Sequence, residues 1–73
     1  MDTTETTLKL TINGKQVELA PGTTIADFLA SKGYHERLVV VEINGKIVPR
    51  TEYGTTTLSA GDEVEIVHFV GGG

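Results

Sequence analysis

Gly61-Asp62-Glu63-Val64-Glu65-Ile66-Val67-His68-Phe69-Val70-Gly71-Gly72-Gly73 is the stretch whose reading decides the fold. Val64 and Ile66 alternate with Glu63 and Glu65, the period-two signature of a strand with a buried face. Val67 and Phe69 fall on the face of Glu65, so the strand is apolar on both sides towards its end. Three glycines follow Val70. They bury nothing and, lacking a Cβ, let other backbone approach closely. A frayed terminus is the plain alternative. A strand leading straight from the core into such a tail favours a slim, flexible segment that enters a narrow tunnel of another protein. The α-carboxylate of Gly73 is then the group acted on.

Upstream, Leu8, Leu10 and Ile12 alternate with Lys9 and Thr11 and run into Asn13-Gly14. Asn-Gly is the strongest short hairpin signal, because a type I′ turn needs positive φ at both central positions. The turn pairs Ile12 with Lys15, Leu10 with Val17 and Leu8 with Leu19, which puts Leu8, Leu10, Ile12, Val17 and Leu19 on one face. Ala20-Pro21-Gly22 breaks the strand. Thr24 and Asp27 have the spacing of a capping box, and Ile25, Phe28 and Leu29 form a narrow apolar stripe. Gly33 is placed as the left-handed residue that closes a helix of two to three turns.

Tyr34 to Arg37 reads as a connecting loop and Leu38 to Ile43 as a strand ending at a second Asn-Gly, Asn44-Gly45. The turn logic pairs Ile43 with Lys46 and Val41 with Val48. Val39, Val41, Ile43 and Val48 then face inward, and Val40 and Glu42 outward. Pro49 keeps the next strand short and at a sheet edge. Thr51 to Thr57 is polar except for Tyr53, expected to be part-buried, and Leu58 returns to the core. Two hairpins flanking one helix leave two open strand edges, and the final strand fits between them, parallel to the first and antiparallel to the third. The expected fold is α+β: a β-grasp, ubiquitin-like mixed sheet of four to five strands with one helix across one face. The expected division is a disordered leader over 1–7, the domain over 8–70 and a flexible glycine tail over 71–73.

Composition narrows the function classes. Seventy-three residues, 38% of them hydrophobic, allow one small core. Ordering such a chain costs on the order of 1.5 kcal/mol per residue, so net stability is a small difference. The absence of cysteine excludes disulfides, thiolate metal sites and a cysteine nucleophile. A net charge of −4 argues against nucleic-acid binding through phosphate neutralisation. The longest apolar run, Leu38 to Val41, is too short to span a membrane, and Asp2 to Thr7 is polar and acidic rather than a signal peptide. A cytoplasmic protein, monomeric on its own, is the default expectation.

Leu10-Thr11-Ile12-Asn13-Gly14, Thr24-Ile25-Ala26-Asp27-Phe28-Leu29 and Val41 to Arg50 resemble the ThiS family, the sulfur carriers of thiamine thiazole biosynthesis, and so does Gly61 to Gly73. The resemblance covers nearly all of Leu8 to Gly73. Ile47-Val48-Pro49-Arg50 and the terminal glycines are its most specific parts. It implies that an E1-like adenylating enzyme of ThiF type uses Mg-ATP to convert the Gly73 carboxylate to an acyl-adenylate. A sulfur donor protein then displaces AMP, and a thiazole synthase of ThiG type takes sulfur from the resulting thiocarboxylate. The carrier itself would supply no catalytic side chain, bind no metal and hold no cofactor. Gly71 and Gly72 match the slender tail, although three glycines stand where a terminal pair is the family's minimum. The leader Met1 to Thr7 is longer than the resemblance accounts for.

Other features are weighed against plain roles. His35 and His68 have no cysteine beside them, and surface or packing roles are commoner for such histidines than metal binding or catalysis. Glu63 and Glu65 share a strand face, but a domain this small offers no cleft for an acid/base pair. Val40, Val67 and Phe69 should lie together on the sheet face that the helix leaves uncovered, and three apolar residues beside a working tail suggest a docking patch. Arg50 is either solvated or a salt-bridge anchor for a partner. The competing functions are the same carrier chemistry for molybdopterin, cysteine or tRNA thiolation, a ubiquitin-like modifier conjugated through Gly73, and a binding module with an idle tail.

Overall fold

The structure, a computed structural model, describes residues 7–69. Leader residues 1–6, Val70 and the tail glycines Gly71, Gly72 and Gly73 lie outside the described residues. Thr7, the last residue of the expected leader, donates a hydrogen bond from its hydroxyl to Glu18 Oε1 at 3.3 Å.

Among the described residues, five strands form one sheet: β1 (Leu8–Ile12), β2 (Lys15–Leu19), β3 (Val39–Ile43), β4 (Lys46–Ile47) and β5 (Glu63–His68). The one α-helix among the described residues, α1 (Ile25–Ser31), follows β2. The spatial order is β2-β1-β5-β3-β4, with β5 parallel to β1 and antiparallel to β3. This is the β-grasp arrangement expected from the alternation, with the last strand at the centre.

Local chemistry sets each element. Asn13 and Gly14 have φ of 52° and 82°, and Asn44 and Gly45 have 53° and 86°, so both hairpins use the type I′ geometry that Asn-Gly favours. The first hairpin has the register Leu8–Leu19, Leu10–Val17 and Ile12–Lys15. In the second, Ile43 faces Lys46, and the Val48 amide bonds the Val41 carbonyl at 2.9 Å. Around α1, Thr24 Oγ1 accepts from the Asp27 amide at 3.0 Å and Asp27 Oδ2 accepts from the Thr24 amide at 3.2 Å, completing the capping box. Gly33, at φ 74°, closes the helix in the left-handed conformation.

The apolar stripe of α1 buries Ile25, Phe28 and Leu29 against Leu10, Ile12, Val39, Val41, Val64 and Ile66 of the sheet. Leu29 and Val41 have 0% exposure, so the centre of the core lies where helix and middle strands meet. Leu58 joins it as expected. Tyr53 departs from expectation: it is buried, at 2% exposure, rather than part-buried. The reason is that the polar segment around it caps the helix. The amides of Ile25 and Ala26, which have no partner within α1, donate to the carbonyls of Thr56 (3.0 Å) and Tyr53 (2.9 Å). That bonding draws the segment onto the helix N-terminus and the Tyr53 ring into the core.

One boundary is corrected. Leu38 belongs not to β3 but to a 3₁₀ turn, Glu36–Leu38, where a plain loop was expected over Tyr34 to Arg37. The Leu38 amide bonds the His35 carbonyl at 2.9 Å and so is withdrawn from the ladder. A second 3₁₀ turn, Arg50–Glu52, starts immediately after Pro49, where a pre-set φ near −65° favours entering such a turn.

Neither Asn-Gly turn is only a turn. Asn13 Oδ1 accepts from the Ile66 amide at 2.7 Å, Asn13 Nδ2 donates to the Ile66 carbonyl at 3.2 Å, and the Asn13 amide bonds the Val64 carbonyl at 2.8 Å. β1 ends at Ile12, so the carboxamide of Asn13 stands in for the backbone that β5 would otherwise lack on that side. From the opposite flank, Asn44 Oδ1 accepts from the Glu63 amide at 2.9 Å and Asn44 Nδ2 donates to Asp62 Oδ1 at 3.1 Å. Asn13→Gly keeps the positive φ and removes the carboxamide, with a further cost from the greater freedom of glycine in the unfolded chain. It is expected to lower stability by about 1–3 kcal/mol, a fall in Tm of roughly 4–8 °C per kcal/mol, with a smaller loss for Asn44→Gly, whose bonds are exposed. A thermal melt of Asn13→Gly superimposable on the parent would show that the clamp contributes nothing.

Candidate functional site

α1 covers one face of the sheet and leaves the other open. The residues on the open face follow from strand alternation. Lys9 and Thr11 come from β1, Glu63, Glu65 and Val67 from β5, Val40 and Glu42 from β3, and Ile47 from β4. Val40 and Val67 are direct cross-strand partners, as the sequence implied. Val40 is half-buried and Val67 is 54% exposed. One step along the same register, the Phe69 amide donates to the Leu38 carbonyl at 2.8 Å, and Phe69 and Leu38 are 55% and 49% exposed. The patch therefore has four members, Leu38, Val40, Val67 and Phe69, at the end of the sheet from which the chain continues towards Gly71, Gly72 and Gly73. Leu38 was missed, although counting back by two from Val40 would have found it. Ile47, 66% exposed opposite Glu42, is a further apolar residue on this face.

Beside the patch the face turns acidic. Glu42 and Glu65 are directly opposed across β3 and β5, and with Glu63 they line a shallow depression of about 360 Å³. Among the described residues no group of histidines and carboxylates is arranged to hold a metal. His68 packs instead: its ring meets Tyr34 edge to face, with centroids 4.5 Å apart and planes at 88°. His35 precedes the first 3₁₀ turn and makes no side-chain cap to it.

The helix packed across a mixed sheet whose last strand is central defines a ubiquitin-like β-grasp domain. The ThiS family model matches residues 10–73, and the chain belongs to that family. It is 45% identical over 65 residues to the sulfur carrier protein ThiS of Bacillus subtilis, covering 88% of this chain and 98% of that one. It is 38% identical over 66 residues, 90% of its length, to a thiazole synthase of Magnetococcus marinus, but spans only 20% of that protein. The crystal structure of a thiamine biosynthesis protein (ThiS) from Geobacter metallireducens superposes with a TM-score of 0.73 at 33% identity, covering 90% of this chain and 100% of that one.

Opposed like charges across a strand pair weaken the pair. Glu65→Gln is therefore expected to raise stability by on the order of 0.2–1 kcal/mol at low salt, with the gain shrinking as salt screens the pair. Paired melts at low and high ionic strength read this directly, and an equal or lower Tm for the variant at low salt would contradict it.

Proposed function

We propose that this chain is a sulfur carrier that serves as a co-substrate of other enzymes and is not itself an enzyme. The observation that carries the reading is the family match, which extends through Gly73, together with near full-length likeness to a protein named as a sulfur carrier. In the first step the Gly73 α-carboxylate attacks ATP, bound with Mg by an adenylating partner, and pyrophosphate leaves. A carboxylate is a poor electrophile, and the acyl-adenylate gives its carbon a good leaving group. A hydrosulfide equivalent from a sulfur donor then forms the C–S bond, AMP departs, and a thiocarboxylate remains. Two proteins named thiazole synthase contain a region similar to this chain, which supports thiazole synthesis as the sulfur's destination.

This chain contributes delivery. Four residues separate Phe69 from the Gly73 carboxylate, a span of at most about 14 Å when extended. The reacting atom thus works close to the surface that carries Leu38, Val40, Val67 and Phe69. A partner that seats this patch holds its active site within reach of the carboxylate, and side-chain-free Gly71 and Gly72 let its walls close around the backbone. No helix among the described residues is long and apolar enough to cross a membrane.

Incubation of the intact chain with an adenylating enzyme of thiamine biosynthesis, Mg-ATP and hydrosulfide should yield a product heavier by the difference between one sulfur and one oxygen atom. Deletion of Gly73 should abolish it. An unchanged intact mass, or a shift that survives the deletion, overturns the reading. Val67→Asp replaces the cross-strand partner of Val40 by a poor strand former beside Glu65, so it should cost the isolated domain on the order of 1 kcal/mol and leave it folded. Its affinity for the adenylating enzyme should fall by about 2 kcal/mol, roughly thirtyfold. Titration calorimetry showing parental affinity would remove the patch from the interface.

A further inference from the structure

The tetrapeptide Ile-Asn-Gly-Lys occurs twice, as Ile12–Lys15 and Ile43–Lys46, and holds the chain's only asparagines. Asn-Gly is chemically labile. The glycine amide nitrogen attacks the asparagine Cγ, ammonia leaves and a cyclic succinimide closes. Water then opens the ring at either carbonyl, giving aspartate or, with the main chain rerouted through the side chain, isoaspartate. Glycine permits the attack because no Cβ blocks the approach. With the same neighbours on both sides, the two sites share one intrinsic reactivity, and the fold alone separates them.

Both turns are exposed, so water reaches each. The difference lies in what must break before the carboxamide can swing onto the glycine nitrogen. Asn13 is locked by part-buried bonds to the Ile66 amide (2.7 Å) and the Ile66 carbonyl (3.2 Å) of the central strand. Its hairpin is paired over five residue pairs, and Leu8, Val17 and Leu19 of that hairpin pack against the core. Asn44 is held by exposed bonds to the Glu63 amide (2.9 Å) and Asp62 Oδ1 (3.1 Å). Its hairpin is paired over two residue pairs, and both residues of β4 are exposed, Ile47 at 66%. Val48 rejoins the core and bonds the Val41 carbonyl, so an opening of this turn can stop there. Local opening is easiest where few apolar contacts and mostly solvated hydrogen bonds are given up. The second turn meets that description and the first does not.

We propose that Asn44-Gly45 is the site at which the folded chain deamidates, that Asn13-Gly14 is protected, and that the product loosens the start of β5. The conversion replaces the Asn44 Nδ2 donor by an oxygen. The new carboxylate at position 44 still accepts from the Glu63 amide, but it opposes the Asp62 carboxylate where a hydrogen bond had been. Asp62 Oδ2 accepts from the Ser59 amide at 2.9 Å, so the repulsion falls on the group that shapes the turn into β5. The isoaspartate form lengthens the main chain by a methylene, for which a two-residue type I′ turn has no room.

The test incubates the full chain in mildly alkaline buffer well below its Tm, then unfolds it and cleaves after lysine. The two asparagines fall in separate peptides, 10–15 and 33–46. Each conversion is read as the mass difference between a hydroxyl and an amino group. Peptide 33–46 should convert about tenfold faster than peptide 10–15, or more. In unfolding urea the two rates should converge. Equal native rates, a faster Asn13, an Asn44 that stays intact while the unfolded chain converts, or rates that remain apart in urea overturn the proposal. Asn44→Asp should lower Tm by roughly 4–8 °C at low salt, and by less at high salt, which screens the repulsion. Adding Asp62→Asn exchanges donor and acceptor across the same bond and should recover most of that loss. A single variant that melts with the parent, or a double variant no more stable than the single, overturns the assignment of the damage to the Asn44–Asp62 pair. None of these readouts involves sulfur chemistry, so they stand or fall apart from the carrier reading.

Discussion

Everything in this domain depends on β5 being held from both sides. A central strand needs backbone partners along both edges, because a buried amide or carbonyl left unpaired costs about as much as a lost hydrogen bond. β3 accompanies β5 from Ile43–Val64 to Val39–His68, but β1 reaches only as far as the Ile12–Val64 pair. Asn13 supplies the missing partner with its side chain, and Asn44 holds the start of the strand from the other flank. Each hairpin thus makes its own reversal and anchors a strand that arrives much later in the chain. With Val64 and Ile66 fixed at that point, the sheet presents a continuous apolar surface for α1 to cover.

Much of this was legible because it is written in local codes. Asn-Gly specifies the two reversals, Thr24 with Asp27 specifies the helix start, and alternation from Leu8 to Ile12, Val39 to Ile43 and Glu63 to His68 specifies which side chains face the helix. The central place of β5 followed from counting open edges. What stayed hidden depends on contacts remote in sequence. The Asn13–Ile66 bonds join residues 53 positions apart, and nothing in a turn motif announces what its carboxamide will meet. Tyr53 lies in a polar segment with no periodicity. Its burial follows from the need of the α1 amides for the carbonyls of Tyr53 and Thr56, which is a tertiary fact.

The candidate site was legible from the same codes. Val40, Val67 and Phe69 were found by alternation combined with topology, and Leu38 was available to the same count.

The division of labour between the two sheet faces follows from the clamp. In a domain of this size net stability is small, yet its open face carries the opposed carboxylates Glu42 and Glu65 and half-exposes Val67 and Phe69, choices that do not help the isolated chain. They are tolerated because β5 is secured by backbone-directed bonds and by the opposite face, whose side chains Val64 and Ile66 are nearly inaccessible. Since period-two alternation separates the faces residue by residue, the composition of one can be set without disturbing the other. The strand that completes the core is therefore free, on its reverse side, to be shaped for contact with something outside the chain.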